Sequence, residues 1–150
     1  MKINLGCGQD YRDGWENWDI SKHIKAEKYL DIRTDIFPAN DNSVECIYCS
    51  GVLEQILANE HLIHALNECW RILIPSGHLT IVVPNSRYSI TFQDPHDCRH
   101  FLPETFKYFD FKDICYQRFG SIYGYMPWDV MSIEENQQHI MTIKMQKHDF

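Results

Sequence analysis

The chain has 150 residues, of which 44% are hydrophobic and 23% are charged, and 14 Lys and Arg against 21 Asp and Glu give a formal net charge of −7. This is the usage of one globular domain, which excludes a disordered or low-complexity chain. The longest unbroken apolar run is the four residues Cys46-Ile47-Tyr48-Cys49, far short of the roughly 20 that a membrane-spanning helix needs. We therefore expect no membrane segment.

The N-terminus has one positive charge and no hydrophobic stretch behind it, so the sequence predicts no secretion signal and a cytoplasmic protein. In a reducing compartment we expect the six cysteines to remain thiols and to pack as small apolar residues. A net charge of −7 without a Lys/Arg cluster argues against nucleic acid as a partner, because affinity for a phosphate backbone comes mainly from released counterions.

The chain opens with a short strand at residues 2–5 that continues directly into Gly6-Cys7-Gly8. Glycines at this place indicate a tight turn or a close backbone approach. Alternating aromatics at residues 15–20 predict a second strand that ends near Asp19. Only five residues separate Gly8 from Gly14, whereas a parallel crossover needs about 10 to 12 or more. The first crossover helix is therefore expected to be missing or reduced to a loop.

A strand, a helix and a strand follow in the middle of the chain. Strands are predicted at residues 28–32 and 44–49, separated by turn residues. From Asn59, a good N-cap, apolar residues follow helical spacing as far as Leu73, and Pro75-Ser76-Gly77 ends the helix. The β-branched run at residues 79–83 predicts a buried strand. This alternation is typical of a parallel sheet.

The second half has fewer helical signals. A helix is predicted from Pro103 to Phe109, a strand at residues 112–119, and one long connection at residues 120–136. Met141, Ile143 and Met145 alternate with polar residues, which indicates a half-buried terminal strand that we place antiparallel beside the strand before it. The fold class is therefore α/β, with a doubly wound, largely parallel sheet in a single domain, an antiparallel last strand and a reduced first crossover helix.

Four segments in this order resemble the class I S-adenosylmethionine-dependent methyltransferases, in particular their short members. The segments are Asn4-Leu5-Gly6-Cys7-Gly8, Gly14-Trp15-Glu16-Asn17-Trp18-Asp19, Ser50-Gly51-Val52-Leu53-Glu54-Gln55 and Arg71-Ile72-Leu73-Ile74-Pro75-Ser76-Gly77. A Gly-x-Gly turn alone is a weak signal, whereas four segments at plausible spacing make chance a poor explanation. The resemblance covers roughly residues 2 to 110 and implies a Rossmann-like methyltransferase fold.

The resemblance also implies S-adenosylmethionine as the cofactor. A glycine turn lets the backbone approach the methionine and ribose parts, and a carboxylate at the end of the second strand accepts hydrogen bonds from the ribose hydroxyls. An acid after the third strand meets the adenine, with Asp31-Ile32 as the first choice and Asp35-Ile36 as the second. The candidate cofactor residues are Leu5, Gly6, Cys7, Gly8, Asp19, Ile20, Asp31, Ile32, Cys49, Ser50 and Gly51.

The acceptor of the methyl group is expected to be a small molecule, such as a sugar or another hydroxylated metabolite, an inference that rests on analogy of fold and on the acidic charge. If it must lose a proton, the base comes from the segment after the fifth strand. The candidates are His96, His100 and Asp97, with Asp94 beside them. No metal is predicted, although this segment has metal-ligating residue types. The aromatics of residues 116–128 either pack, wall an acceptor pocket or cover a subunit contact.

Three positions depart from the family pattern, since Asn4, Gln55 and Ser76 replace an acid, a histidine and a glycine. These changes leave open a second reading, in which the chain is a non-catalytic module that binds the cofactor or a protein partner. A homodimer and a partner subunit are both left open.

Overall fold

The structure is a computed structural model that describes all residues from 1 to 150. Its strands are β1 (Lys2–Leu5), β2 (Glu16–Asp19), β3 (Lys28–Tyr29), β4 (Val44–Ser50), β5 (Leu73–Pro84), β6 (Trp128–Glu135) and β7 (Ile140–Lys147). Helix α1 is Asn59–Ile72, short 3₁₀ turns occupy Leu53–Gln55, Ser89–Phe92 and Pro103–Tyr108, and a π-helix at Tyr116–Gly120 leads into α2 (Ser121–Tyr123). No helix has the length and apolar character that crossing a bilayer requires.

The seven strands form one sheet in the order β3-β2-β1-β4-β5-β7-β6. Strands β1 to β5 pair in parallel, and β7 pairs antiparallel with both β5 and β6. The predicted α/β class, the largely parallel sheet and the antiparallel last strand are confirmed. The chain continues from β1 to β2 and β3 on one side of the sheet, and β4 and β5 lie on the other side of β1. Sheets of this kind bind ligands in the crevice where the order switches, which lies here at the carboxyl ends of β1 and β4.

One face of the sheet is apolar and packs against α1. The helix presents its buried residues Leu62, Ala65, Leu66, Cys69 and Ile72 at helical spacing. Strand residues in the same hydrophobic cluster include Ile3, Leu5, Trp18, Ile47, Cys49, Leu79, Ile81, Val83, Met141, Ile143 and Met145. This cluster is the main core of the domain.

The opposite face carries loops instead of helices. Residues 6–15 connect β1 to β2 without a helix, as the short spacing predicted, and residues 20–27 also lack a helix. Residues 30–43 lack a helix as well but lie beside α1, where Phe37 N–H donates to Glu68 Oε2. The first loop lies on the sheet, where the Arg12 guanidinium carbon sits 3.6 Å from the centre of the Tyr48 ring. Buried Asn4 fixes the same loop, since its Nδ2 donates to Asp10 O at 2.6 Å and to Asn17 Oδ1 at 3.0 Å. An amide can donate these bonds and a carboxylate cannot.

Two predictions for the second half are wrong. Residues 112–119 do not form a strand, because Tyr116 and Gly120 share the buried side of a helical segment, and a Cβ atom at Gly120 would lie 1.9 Å from Tyr108 O. The long connection at residues 120–136 contains β6. Its outer edge is unpaired and leaves Met131 and Ile133 exposed, so the strand lacks the clean alternation that marks a half-buried strand.

Candidate functional site

A cleft of about 400 Å³ lies at the carboxyl ends of β1 to β4. Such a volume is within the range of small-molecule and cofactor sites. The residues that line it come from the ends of four neighbouring strands and from the turn after β4, and they are Gly6, Gly8, Asp19, Ile20, Leu30, Asp31, Ile32, Arg33, Gly51, Val52, Gln55 and Ile56. The cleft therefore has a glycine wall, two carboxylates, one guanidinium and several apolar side chains.

The glycine bend after β1 forms one wall of the cleft. Gly6 and Gly8 have φ angles of +65° and +50°, a region that L residues with side chains rarely occupy. A Cβ atom at Gly6 would lie 2.2 Å from Val52 Cγ2, so this position has no room for a side chain. A Cβ atom at Gly8 would meet nothing within 4 Å. The backbone at Gly8 is thus open to the cleft.

The carboxylate of Asp19 is fixed beside this bend. Gly8 N–H donates to Oδ2 at 2.9 Å, and Ser21 N–H donates to Oδ1 at 2.8 Å. Each oxygen keeps a lone pair for a further donor. A ligand with two adjacent hydroxyl groups can therefore bind to Asp19 without displacing the backbone.

The structure places Asp31 and Ile32 in the cleft wall and Asp35 and Ile36 outside it. Asp31 is half-buried and accepts three hydrogen bonds from Arg33, from the backbone N–H at 3.0 Å, from Nε at 2.8 Å and from Nη2 at 2.7 Å. These bonds lower the pKa of Asp31 below its usual value. Asp35 Oδ2 accepts the backbone N–H of Asp31 at 2.8 Å. Asp35 thus holds the turn, while Asp31 faces the space that a ligand would fill.

Of the predicted cofactor residues, seven line the cleft, namely Gly6, Gly8, Asp19, Ile20, Asp31, Ile32 and Gly51. Leu5, Cys7 and Cys49 are buried in the interior and are not among the lining residues. Ser50 is half-buried at the end of β4 and is not among the lining residues. Leu30, Arg33, Val52, Gln55 and Ile56 complete the wall, and sequence reasoning did not select them.

The candidate bases at residues 94–100 lie beyond this wall. The side chain of His96 is 82% exposed, with Nδ1 at 3.5 Å from Asp94 Oδ1. His100 is exposed, and its ring centre lies 5.5 Å from that of Phe92. Asp97 is half-buried, and burial followed by repulsion from Asp94 raises its pKa. The two imidazoles therefore face solvent, and of the three candidates only Asp97 is partly enclosed.

Glu54, in the turn after β4, is a buried carboxyl group that the sequence motif contained without indicating its environment. Only 5% of the residue is exposed, and Oε2 has no hydrogen-bond partner. Burial, with smaller contributions from Asp97 and Asp94, raises the pKa of Glu54 to about 7. Its backbone oxygen accepts the N–H groups of Cys98 and Arg99, both at 2.9 Å. The turn after β4 is thereby joined to the segment of the candidate bases.

The raised pKa of Glu54 predicts how stability changes with pH. Because the folded state holds this proton up to about pH 7 and the unfolded state releases it near 4.5, the stabilisation is complete below pH 4.5 and is lost as the pH rises through 7. Between pH 4.5 and 8, the free energy of unfolding of the wild-type protein is expected to fall by about 3 kcal/mol relative to that of Glu54→Gln. Urea unfolding of both proteins at several pH values measures the difference, and parallel curves would contradict it.

A second cavity, of about 390 Å³, lies near the start of α1 and is lined by Asn59, Ile63, Tyr108, Phe109, Tyr123 and Tyr125. Two of the predicted aromatics, Tyr123 and Tyr125, thus line a cavity. Tyr116 and Trp128 are buried, and Tyr116 Oη donates to Tyr125 O at 3.0 Å. These two aromatics pack in the interior.

Comparisons with known proteins find a matching family model and structures with the same fold. The model of the methyltransferase domain family matches residues 19–81. No curated protein matches the sequence. A SAM-dependent methyltransferase from Archaeoglobus fulgidus superimposes with a TM-score of 0.69 at 16% identity, over 97% of this chain and 85% of the other.

Two further structures have similar folds. A SAM-dependent methyltransferase from Methanosarcina mazei gives a TM-score of 0.65 at 11% identity, over 97% of this chain and 91% of the other. A protein from Haloferax volcanii, in complex with the Trm112 methyltransferase activator, gives a TM-score of 0.64 at 13% identity, over 99% of this chain and 82% of the other. At these identities the likeness shows a shared fold, and this fold is the one that the sequence resemblance implied.

Proposed function

Since the chain has the fold of the class I S-adenosylmethionine-dependent methyltransferases and matches a methyltransferase-domain model over residues 19–81, we propose that it binds S-adenosylmethionine and methylates a small molecule. The proposal rests on one observation above all. The open backbone of Gly8, the carboxylate of Asp19 and the carboxylate of Asp31 meet in one cleft. Such a cleft offers a place for a backbone approach, a partner for two hydroxyls and a partner for an amino group.

The residues of the cleft fit the parts of the cofactor. Asp19 would hold the ribose hydroxyls, because its two oxygens are fixed by backbone N–H groups and keep free lone pairs. Asp31 would accept from the adenine amino group, with Ile20 and Ile32 against the ring. Gly6, Gly8 and Gly51 would border the methionine part, where a side chain would take its space. When bound, the cofactor supplies a methyl group on an activated sulfonium.

The chain's own contribution to the reaction is orientation and exclusion of water. Aligning a nucleophile with an activated methyl group and keeping water out can supply most of the acceleration for such a transfer. Val52, Gln55 and Ile56 cover the cleft on the side of the turn after β4, and residues 94–99 are attached to that turn through Glu54 O. We place the acceptor between this turn and the segment of residues 94–100.

Calorimetric titration of the purified protein with S-adenosylmethionine and with S-adenosylhomocysteine tests the proposal. We expect one site with a dissociation constant in the micromolar range, and no competition from ATP, since the chain has no Gly-x-x-x-x-Gly-Lys loop. The absence of heat at high micromolar ligand, from protein shown to be folded, would overturn the proposal.

A labelled-methyl screen separates the two readings of the chain. Transfer of the label to a sugar, an amine or another small metabolite supports the enzyme. If no acceptor in the screen becomes labelled although the protein binds the cofactor, the result supports the alternative of a non-catalytic module whose partner is another protein.

A further inference from the structure

The acidic groups at the acceptor side of the cleft form a connected set. Glu54, Asp97 and Asp94 are close enough for their charges to act on one another. Asp94 is exposed, Asp97 is half-buried and Glu54 is buried, so the carboxyl groups lead from solvent towards the interior. Two positive residues lie nearby. His96 is exposed, with Nδ1 at 3.5 Å from Asp94 Oδ1, and the guanidinium of Arg99 is occupied by Ile56 O, Leu57 O and Asn59 Oδ1. An approaching cation therefore meets negative charge at each step.

The innermost member of this set lacks a partner. Glu54 Oε2 is closed to solvent and makes no hydrogen bond, which is a costly state for a buried polar atom. The carboxyl group faces the side of Gly51 that carries no side chain, since a Cβ atom at Gly51 would lie 3.9 Å from Glu54 Oε1. Gly51 itself lines the cleft. The carboxyl group is therefore held beside the cleft, with Oε1 next to Gly51 and Oε2 closed off in the interior.

We propose that Glu54 takes a proton from the methyl acceptor and that the acceptor is a protonated amine drawn in by Asp94 and Asp97. This inference rests on the proposed function and names its substrate class. In the step, an N–H bond of the ammonium group breaks, its electron pair stays on nitrogen, and the proton forms an O–H bond on Glu54. The products are a neutral amine and a neutral carboxylic acid, so charge and atoms balance.

The acid strengths favour an amine over a hydroxyl group. An alkylammonium has a pKa near 10.4, and the carboxyl group of Glu54 has a pKa of about 7. The equilibrium for transfer of the proton to Glu54 is therefore unfavourable by roughly 10³-fold. A hydroxyl group as weakly acidic as water, near 15.7, would face a disadvantage of roughly 10⁹-fold. His96 and His100 are exposed and would release the proton directly to solvent.

The test is a carbon NMR titration of the glutamate carboxyl groups, on protein with and without S-adenosylhomocysteine, using 2-phenylethylamine and 2-phenylethanol as probes. We expect one glutamate to titrate near pH 7, and this signal to be missing in Glu54→Gln and present in Glu60→Gln, which changes an exposed glutamate at the start of α1. The bound amine should lower this pKa by about one unit or more, because a cation beside a carboxylate favours its charged form. The alcohol should leave it unchanged.

A kinetic readout separates proton transfer from a merely structural role. With the amine as acceptor, wild-type kcat/KM should rise with pH through 7, the pKa of Glu54 in the free protein, whereas Glu54→Gln should lose roughly 10²–10⁴-fold in kcat and also lose this limb of the kcat/KM profile. A change in KM alone would contradict a role in proton transfer. Asp97→Asn and Asp94→Asn should each reduce the preference for the amine over the alcohol.

The outcomes distinguish the inference from the function on which it rests. An unchanged titration of Glu54 with the amine, in protein that binds S-adenosylhomocysteine, overturns the inference and leaves the proposed function intact. Failure to bind S-adenosylhomocysteine overturns the proposed function, and the titration without it then decides separately whether an amine site exists. Equal responses to the amine and the alcohol overturn the substrate class.

Discussion

Asp19→Asn is expected to weaken binding of S-adenosylmethionine by about 100-fold or more. The carboxylate would accept two hydroxyl groups, and hydrogen bonds to a charged group are each worth roughly 1.5–3 kcal/mol. The asparagine has one acceptor oxygen, which must also satisfy the backbone N–H of Gly8 or Ser21. Both the charge and one acceptor are therefore lost. Calorimetric titration of the variant measures the change.

The matched control for Asp19→Asn is Asp13→Asn. Asp13 is exposed in the loop after β1 and is not part of the cleft wall, so its replacement removes the same charge without touching the site. The dissociation constant of Asp13→Asn for S-adenosylmethionine should stay within a factor of about two of the wild-type value, since salt screens the interaction of exposed charges at this distance. Equal losses in the two variants would mean that net charge, and not the Asp19 contact, governs binding.

Gly8→Asn is expected to reduce cofactor affinity by roughly 10- to 100-fold. Asparagine is tolerated at positive φ better than most residues, and a Cβ atom at Gly8 meets nothing within 4 Å, so the fold should tolerate the side chain. The added atoms instead occupy the space that the backbone leaves for the ligand. A group of this size that overlaps a bound ligand costs on the order of 1–3 kcal/mol.

Gly14→Asn separates this steric effect from backbone strain. Gly14 also has a positive φ, +80°, and open space around its Cβ position, but it does not line the cleft. Thermal unfolding should show a comparable change in stability for both variants, whereas only Gly8→Asn should lose affinity. If Gly14→Asn weakened binding as much, strain in the loop would explain both results.

Local pattern was enough to predict the parts of the fold that have one buried face and clear boundaries. The helical spacing from Leu62 to Cys69 and the alternation at Met141, Ile143 and Met145 match the buried faces of α1 and β7, whereas Leu73, the last position of the predicted helical spacing, begins β5. The short distance between Gly8 and Gly14 correctly indicated a crossover without a helix. Each of these signals is contained within a few residues and does not depend on the rest of the chain.

The missed elements depend on contacts between distant residues. Gly120 sits in a helical segment because its backbone packs against Tyr108 O, and β6 is a strand because it pairs with β7 along its inner edge. Neither partner is visible in the local sequence, since tertiary packing overrides weak local propensity. For the same reason, the sequence did not show that the connections from β2 to β3 and from β3 to β4 lack helices.

The candidate site shows a similar division. The resemblance to the methyltransferases indicated the glycines and the strand-end carboxylates, and sheets of this type place ligands at strand ends. The orientation of Leu5 and Cys49 into the core follows from the alternation of side chains along a strand. The burial of Glu54 could not be predicted, because it depends on residues 94–99 returning to the turn after β4.

A crystal structure of the protein with S-adenosylhomocysteine tests the central claim most directly. The ribose hydroxyls should donate to Asp19, the adenine amino group should lie beside Asp31, and the ligand's methionine part should pass the open backbone of Gly8. A ligand bound elsewhere on the molecule, or one whose ribose leaves Asp19 paired only with Gly8 and Ser21, would contradict the account.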